Sequence, residues 1–222
     1  MDFSLEVLEK FPGICVAEGD VKLEIKQDSS GLEDLKTKVA DEIRSRFTLE
    51  NVKDDPMFRA YRDFFWSVGV DPTKTRPASE ALVRRLLSGG KLPNINTAVD
   101  AYNMASAISS VPIAAFDADL LGGVLTMRFA RDGESFLGIG MKELVALKPN
   151  QVIITDARHV IAIYPYRDSD DTKVTASTKK IHLVSCGVPK IEKSKVLEAY
   201  ETCARYLGEY AGGTASKPEL YP

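Results

Sequence analysis

Two polar stretches hold the side chains best suited to chemistry. The first is "TKTRP" followed by "LPNINTAVDAYN". It places Lys74 and Arg76 in a loop, and Asn94, Asn96, Asp100 and Asn103 just beyond it. Arginines and lysines in a cluster recognise phosphates, and amides with a carboxylate supply hydrogen bonds to a polar ligand. The second is "YPYRDSDDTKVTAST", which sets Arg167, Asp168, Ser169, Asp170, Asp171, Thr172, Lys173 and Thr175 between two strand-like runs. A guanidinium beside carboxylates and hydroxyls can hold an anion or move a proton. This loop is longer than a hairpin needs and is expected to be exposed. Its "RDSDD" lacks the glycine and distal glutamate of a calcium loop, so no metal site is expected.

Other chemistries are absent from the sequence. There is no phosphate-binding glycine loop, no G-x-G-x-x-G after a strand, no G-x-S-x-G elbow and no H-E-x-x-H. No cofactor is therefore expected. The three cysteines, Cys15, Cys186 and Cys203, are widely spaced and form no C-x-x-C, which argues against a disulfide framework or a zinc site. The two histidines, His159 and His182, lie in apolar runs and read as structural.

The chain has 222 residues, enough for one large domain or two small ones. Its net charge is −3, which does not advertise a nucleic-acid binder. The charge is uneven, however. Residues 56–91 carry 7 Lys or Arg against 3 Asp or Glu, whereas residues 1–55 carry 8 against 14. Arg84 belongs to this basic segment, with Glu80 one helical turn before it and able to pair with it. No apolar run approaches the roughly 20 residues needed to cross a bilayer. The start "MDFSLEVLEK" lacks a secretory pattern, so a cytoplasmic protein with no membrane partner is expected. No feature of the sequence sets an oligomeric state.

The elements that must position these residues follow from periodicity. "GLEDLKTKVADEIRSRF", "DPMFRAYRDFFWSVG", "ASEALVRRLLS" and "TAVDAYNMASAIS" read as helices, each with one apolar stripe. The aromatic stripe Phe58, Tyr61, Phe64 and Phe65 is expected in the core. Six short apolar runs follow, from "VPIAAFDAD" to "KKIHLVSCG", divided by turn signals such as Asp132-Gly133. "SKVLEAYETCARYLGEYAGG" is a closing helix, and the tail 212–222 is expected to be loose. Helices, then strands, then a helix imply an α+β protein.

One run, "DPTKTRPASEALVRRLL…LPNINTAVDAYNMAS…VPIAAFDAD…MRFARDGESF…VIITD…YRDSDDTKVTASTKKIHLV", resembles the B3/B4 domain of the phenylalanyl-tRNA synthetase β subunit. More closely, it is similar to free-standing B3/B4-domain proteins. The resemblance is clear over residues 56–190 and implies a single B3/B4-like domain, with residues 1–55 an acidic strand and helix part and 191–211 its last helix. The implied fold is a large mixed sheet with N-terminal helices on one side and a C-terminal helix. In the synthetase this domain proofreads, hydrolysing the ester of tRNA mischarged with tyrosine. Ala114 stands where the synthetase has a histidine, Val184 or Ser185 stands where it has a glutamate, and "YPYRDSDD" replaces a glycine-rich segment. Asn96, Asp100, Asn103, Asp117, Asp119 and Gly133-Glu134 carry over.

The resemblance implies editing in trans of mischarged aminoacyl-tRNA, a hydrolase with no aminoacylation activity of its own. Arg167, Asp168 and Thr175 would carry the reaction. Asn94, Asn96, Asp100, Asn103 and Ala114 would form the substrate pocket, and Lys74, Arg76, Arg84 and Lys173 would meet RNA phosphates. The alternative is a non-catalytic module binding tRNA, other RNA or a small amino-acid-like ligand. A third reading is the same fold acting on a different small substrate.

Overall fold

The computed structural model describes residues 1–92 and 94–222. Pro93, in the loop "KLPNIN", lies outside them. Six helices are described: α1 Leu5–Lys10, α2 Leu32–Arg46, α3 Pro56–Ser67, α4 Ala78–Leu87, α5 Thr97–Ser109 and α6 Lys193–Ala211. The starts of α3 and α5 are chemically marked. Asp55 accepts the Met57 N–H at 2.9 Å with Pro56 opening α3, and Asn96 accepts the Val99 N–H at 2.9 Å ahead of α5. Both side chains satisfy donors that a helix start leaves unpaired.

The strands divide between two sheets and a hairpin, where the sequence suggests one large sheet. The first sheet runs in the order β1 (Asp2–Phe3), β4 (Thr126–Phe129), β7 (Val152–Thr155), β8 (Val160–Ile163) and β9 (Arg167–Asp168). Only β1 joins it in parallel. The second sheet is antiparallel, in the order β11 (Thr214–Ala215), β2 (Cys15–Lys22), β10 (Lys180–Gly187) and β3 (Ile113–Asp117). In addition, β12 (Glu219–Tyr221) pairs with β2. The hairpin is β5 (Ser135–Phe136) with β6 (Val145–Ala146).

The expectation of a loose tail is therefore corrected. Residues 214–215 and 219–221 form two strands along the outer edge of β2. That edge would otherwise present a row of unpaired N–H and C=O groups, and the tail is the segment that covers them. Local sequence carries no signal for a pairing across some two hundred residues.

The aromatic stripe of α3 lies in the core as expected: Phe58, Tyr61, Phe64 and Phe65 are buried. Trp66, the single tryptophan, is 57% exposed. The Tyr61 hydroxyl donates to the Cys186 carbonyl at 2.7 Å, and the Tyr164 hydroxyl donates to the Gly187 carbonyl at 2.7 Å. These two phenols bind α3 and the segment after β8 to the end of β10, so each buried hydroxyl has its acceptor.

Two charged clusters join elements distant in sequence. Glu80 of α4 is fully buried and receives Arg62 of α3 through a two-pronged contact at 2.9 and 3.1 Å, and Arg84 at 2.7 Å. A carboxylate without water needs such partners to remain charged. Across β2 and β10, His182 lies 2.9 Å from Asp20 and 3.3 Å from Glu18. Burial alone would lower the His182 pKa, but the hydrogen bonds and charges of Glu18 and Asp20 outweigh it and raise the pKa above 6.5.

Both clusters generate measurable outcomes. Arg62→Ala leaves Glu80 with one cation, and urea unfolding is expected to show a loss of about 2–3 kcal/mol. The His182 contribution is present in full below its unfolded value of 6.5 and is lost as pH rises through the folded value. His182→Asn should therefore lower the melting temperature more at pH 6 than at pH 9. An equal loss at both would show that the ring's charge contributes nothing.

Candidate functional site

The two sheets meet where the free edge of β3 faces β9. A cavity of about 60 Å³ lies at this junction. Pro112 to Ala114 at β3 form one wall, Ala162 of β8 and Tyr164 another, and Cys186 of β10 a third. Ala78, the first residue of α4, touches it as well. The wall is mostly apolar, and Asp168 supplies its one carboxyl group.

Strand geometry explains why Asp168 faces this cavity. β9 pairs with β8 with Asp168 opposite Ala162 and Arg167 opposite Ile163. Successive side chains on a strand point to opposite faces, so residues 167 and 168 cannot share a site. Asp168 turns inward between the sheets and Arg167 turns outward. There the Arg167 guanidinium donates to the Ile139 carbonyl at 3.1 Å. Its stem lies along Gly138, where a Cβ would come within 2.5 Å of Arg167 Cγ. The Ile139 N–H donates to the Asp168 carbonyl at 2.9 Å and the Asp170 N–H to Leu137 at 3.0 Å. Arg167 thus fastens the loop after β5 onto the edge of β9.

Burial raises the Asp168 pKa, against smaller lowering by the Arg167 charge and the Ala115 backbone N–H, and leaves it at about 7. An ordinary aspartate titrates near 3.8. The other polar atoms at this site are inert. Burial, with the Asp168 charge added, pushes the Cys186 thiol far up, so it is not a nucleophile at neutral pH. Tyr102 of α5 does not line the cavity, and burial with the charge of Asp168 raises its hydroxyl.

The remaining residues singled out from sequence fall in three places. Thr175 lies in a turn, its hydroxyl 2.9 Å from that of Ser177, while Thr178 donates to Asp117 at 2.6 Å. Lys173 pairs with Asp170 at 2.7 Å, and its backbone bridges to Phe116 on the edge of β3. The loop is less exposed than its composition suggests, since Ser169 and Thr172 are buried under the crossing from one sheet to the other.

The α5 polar residues serve another junction. Buried Asp100 accepts from Ile95 N–H at 3.0 Å and pairs with Lys36 of α2 at 2.8 Å. Lys36 also donates to Asn94. Asn96 is occupied as the α5 cap, and Asn103 is half-buried on the same helix. Asn94 lines a groove of about 510 Å³ with Lys36, Arg44 and Gly90, and shares no wall with the Asp168 cavity. Of the expected pocket residues, Ala114 is the one beside Asp168. Lys36 gives no signal in sequence, because it is one lysine among several on an amphipathic helix.

Of the expected phosphate contacts, Lys74 and Arg76 are exposed in the loop before α4. Among the described residues neither side chain donates a hydrogen bond. Arg84, expected at a phosphate, donates to Glu80 through Nε and to the Leu49 carbonyl through one terminal nitrogen. Among the described residues no helix is long and apolar enough to cross a membrane.

With this geometry in view, the comparisons with known proteins are specific. The family model described as "B3/4 domain" matches residues 60–212. The chain belongs to the B3/4 domain family. Similar relatives are phenylalanine–tRNA ligase beta subunits. That of Synechococcus sp. is 34% identical over 126 residues, covering 53% of this chain and 15% of the relative. That of Malacoplasma penetrans is 28% identical over 118 residues, with 53% and 15% covered. That of Xanthomonas campestris is 32% identical over 117 residues, with 53% and 14% covered. The chain thus spans about 15% of the length of these relatives. An N-terminal fragment of the phenylalanyl-tRNA synthetase beta subunit from Pyrococcus horikoshii shares the fold, with a TM-score of 0.52 at 16% identity, over 99% of this chain and 53% of that one.

In this B3/4 domain the Asp168 carboxyl has a pH signature. Its raised pKa means that the folded protein holds a proton the unfolded chain has lost between pH 3.8 and about 7. Stability should fall as pH rises through that window. Asp168→Asn removes the effect, so the variant should gain melting temperature relative to the parent from pH 4 to pH 8. A difference that does not change with pH would show that the carboxyl titrates normally.

Proposed function

We propose that this B3/4 domain protein hydrolyses the ester bond of mischarged aminoacyl-tRNA, in trans to the synthetase. The observation that carries the reading is Asp168, a carboxyl set in the wall of a mostly apolar cavity beside the edge of β3, where burial raises its pKa to about 7. Such a group is matched to proton transfer at physiological pH. As carboxylate it takes a proton from the attacking water. The water oxygen bonds to the ester carbonyl carbon, and the bond from that carbon to the ribose oxygen breaks. The proton held on Asp168 passes to the leaving ribose oxygen, giving a free amino acid and uncharged tRNA. An aminoacyl ester is already reactive, so one positioned base supplies a useful acceleration.

The size of the cavity supports a division of labour. About 60 Å³ takes water and a few atoms of the reacting group, not an entire large side chain. The rest of the substrate lies at the mouth, near Ala78. Lys74 and Arg76, in the loop leading into α4, are the cations placed to meet phosphates of the RNA end. The same small volume, with Ala114 in the wall, favours a second reading in which the protein binds tRNA or an amino-acid-like ligand without hydrolysis.

The experiment is deacylation of phenylalanine tRNA mischarged with tyrosine, followed by a panel of other mischarged tRNAs. Turnover above the spontaneous rate is expected, rising as pH passes through about 7. Asp168→Asn should lower it at least about tenfold, ~1.4 kcal/mol, while Lys74→Ala weakens tRNA binding with little effect at saturation. Retained tRNA binding with no turnover across the panel would establish the binding module instead. Turnover unchanged in Asp168→Asn would remove Asp168 from the reaction.

A further inference from the structure

A second cleft, of about 460 Å³, lies at the far end of the first sheet and shares no lining residue with the Asp168 cavity. It is bordered by Arg128 of β4, Arg131, Glu134, Ser135 and the β7–β8 turn that carries Arg158 and His159. Three guanidinium groups and an imidazole thus face two carboxylates, Glu134 and Asp156.

The decisive feature is which hydrogen-bonding capacity is already used. Asp156 has a fully buried side chain. One of its oxygens accepts from the Arg158 N–H at 2.7 Å, the His159 N–H at 2.8 Å and His159 Nδ1 at 2.9 Å, and the other accepts from the Gly122 N–H at 2.7 Å. Burial alone would raise its pKa, but these bonds outweigh burial and hold it at about 2. Glu134 is occupied likewise, taking Arg128 at 2.5 and 2.9 Å and the Arg131 N–H at 2.6 Å. The acceptors of this cleft are therefore saturated.

The donors are not. Arg131 is exposed, and among the described residues its guanidinium makes no hydrogen bond. Arg158 uses one nitrogen, on the Leu120 carbonyl at 2.7 Å, and keeps the others. His159 Nδ1 lies 2.9 Å from Asp156 Oδ1, so this nitrogen is occupied and the ring borders the cleft. Ser135 adds an exposed hydroxyl. A cleft with surplus donors, filled acceptors and net positive charge selects an anion with several oxygens.

We propose that this cleft binds a phosphoryl group, with Arg131 and Arg158 as its principal ligands and the Ser135 hydroxyl completing the contact. The volume is that of a site for a nucleotide-sized molecule. The phosphoryl group has two sources, a free mononucleotide or the terminal phosphate of an RNA. The site stands apart from Asp168 and does not rest on the hydrolysis proposed above.

Isothermal titration of the full chain with inorganic phosphate, adenosine monophosphate, and one short single-stranded RNA with and without a 5′-phosphate tests it. Saturable binding is expected, weakened at least about tenfold in Arg131→Ala and again in Arg158→Ala, and unchanged in Lys195→Ala, a lysine of α6 paired with Glu198 outside the cleft. Arg131 and Arg158 are exposed, so both variants should fold, and circular dichroism checks this. Binding of the mononucleotide but not the RNA assigns the free source. A preference for 5′-phosphorylated over unphosphorylated RNA assigns the RNA terminus. Absence of binding to every probe, or binding equal in parent and both arginine variants, overturns the proposal.

Discussion

The free edge of β3 is the constraint on which this structure turns. It ends the second sheet, and an edge strand leaves N–H and C=O groups that must find partners when buried. Among the described residues no further strand is laid against it. The chain leaving β9 crosses to it, bridging Phe116 through Lys173, and the Ala115 N–H acts on the Asp168 carboxyl. The same crossing carries the chain out of the first sheet and into β10 of the second. One segment therefore joins the sheets, covers the edge and brings a carboxyl into an apolar cavity. The raised pKa of Asp168 follows from that burial.

Charge placement elsewhere shows two uses of the same residue types. Arg62, Arg84 and Lys36 are held against buried Glu80 and Asp100, where they join helices. Arg128 is held by Glu134 in the same manner. Lys74, Arg76, Arg131 and Arg158 are exposed. The difference is one of desolvation. A cation that neutralises a buried carboxylate cannot be withdrawn without leaving that carboxylate uncompensated, whereas an exposed one keeps its donors for a ligand.

Membership of the B3/4 domain family and the shared fold describe the scaffold, and chemistry lies in the residues set on it. The loop "YPYRDSDD" supplies both Tyr164 and Asp168 to the cavity wall. Tyr164 also anchors the end of β10.

The sequence by itself determined the helices and the class of fold. Periodic apolar residues place α2 to α6, and Asp55 and Asn96 mark two of their starts, because caps and amphipathic stripes are local properties. It also drew attention to Asp168, through the polarity of its loop. Tertiary structure decided what each polar residue does. Arg62 and Glu80, Lys36 and Asp100, and the tail strands with β2 are pairings across long stretches of chain. Asp168 and Arg167 are adjacent in sequence, yet strand alternation sends one into the cavity and the other onto Gly138. A pKa near 7 depends on how much water surrounding elements exclude, and that is a property of their packing rather than of any residue's neighbours in the chain.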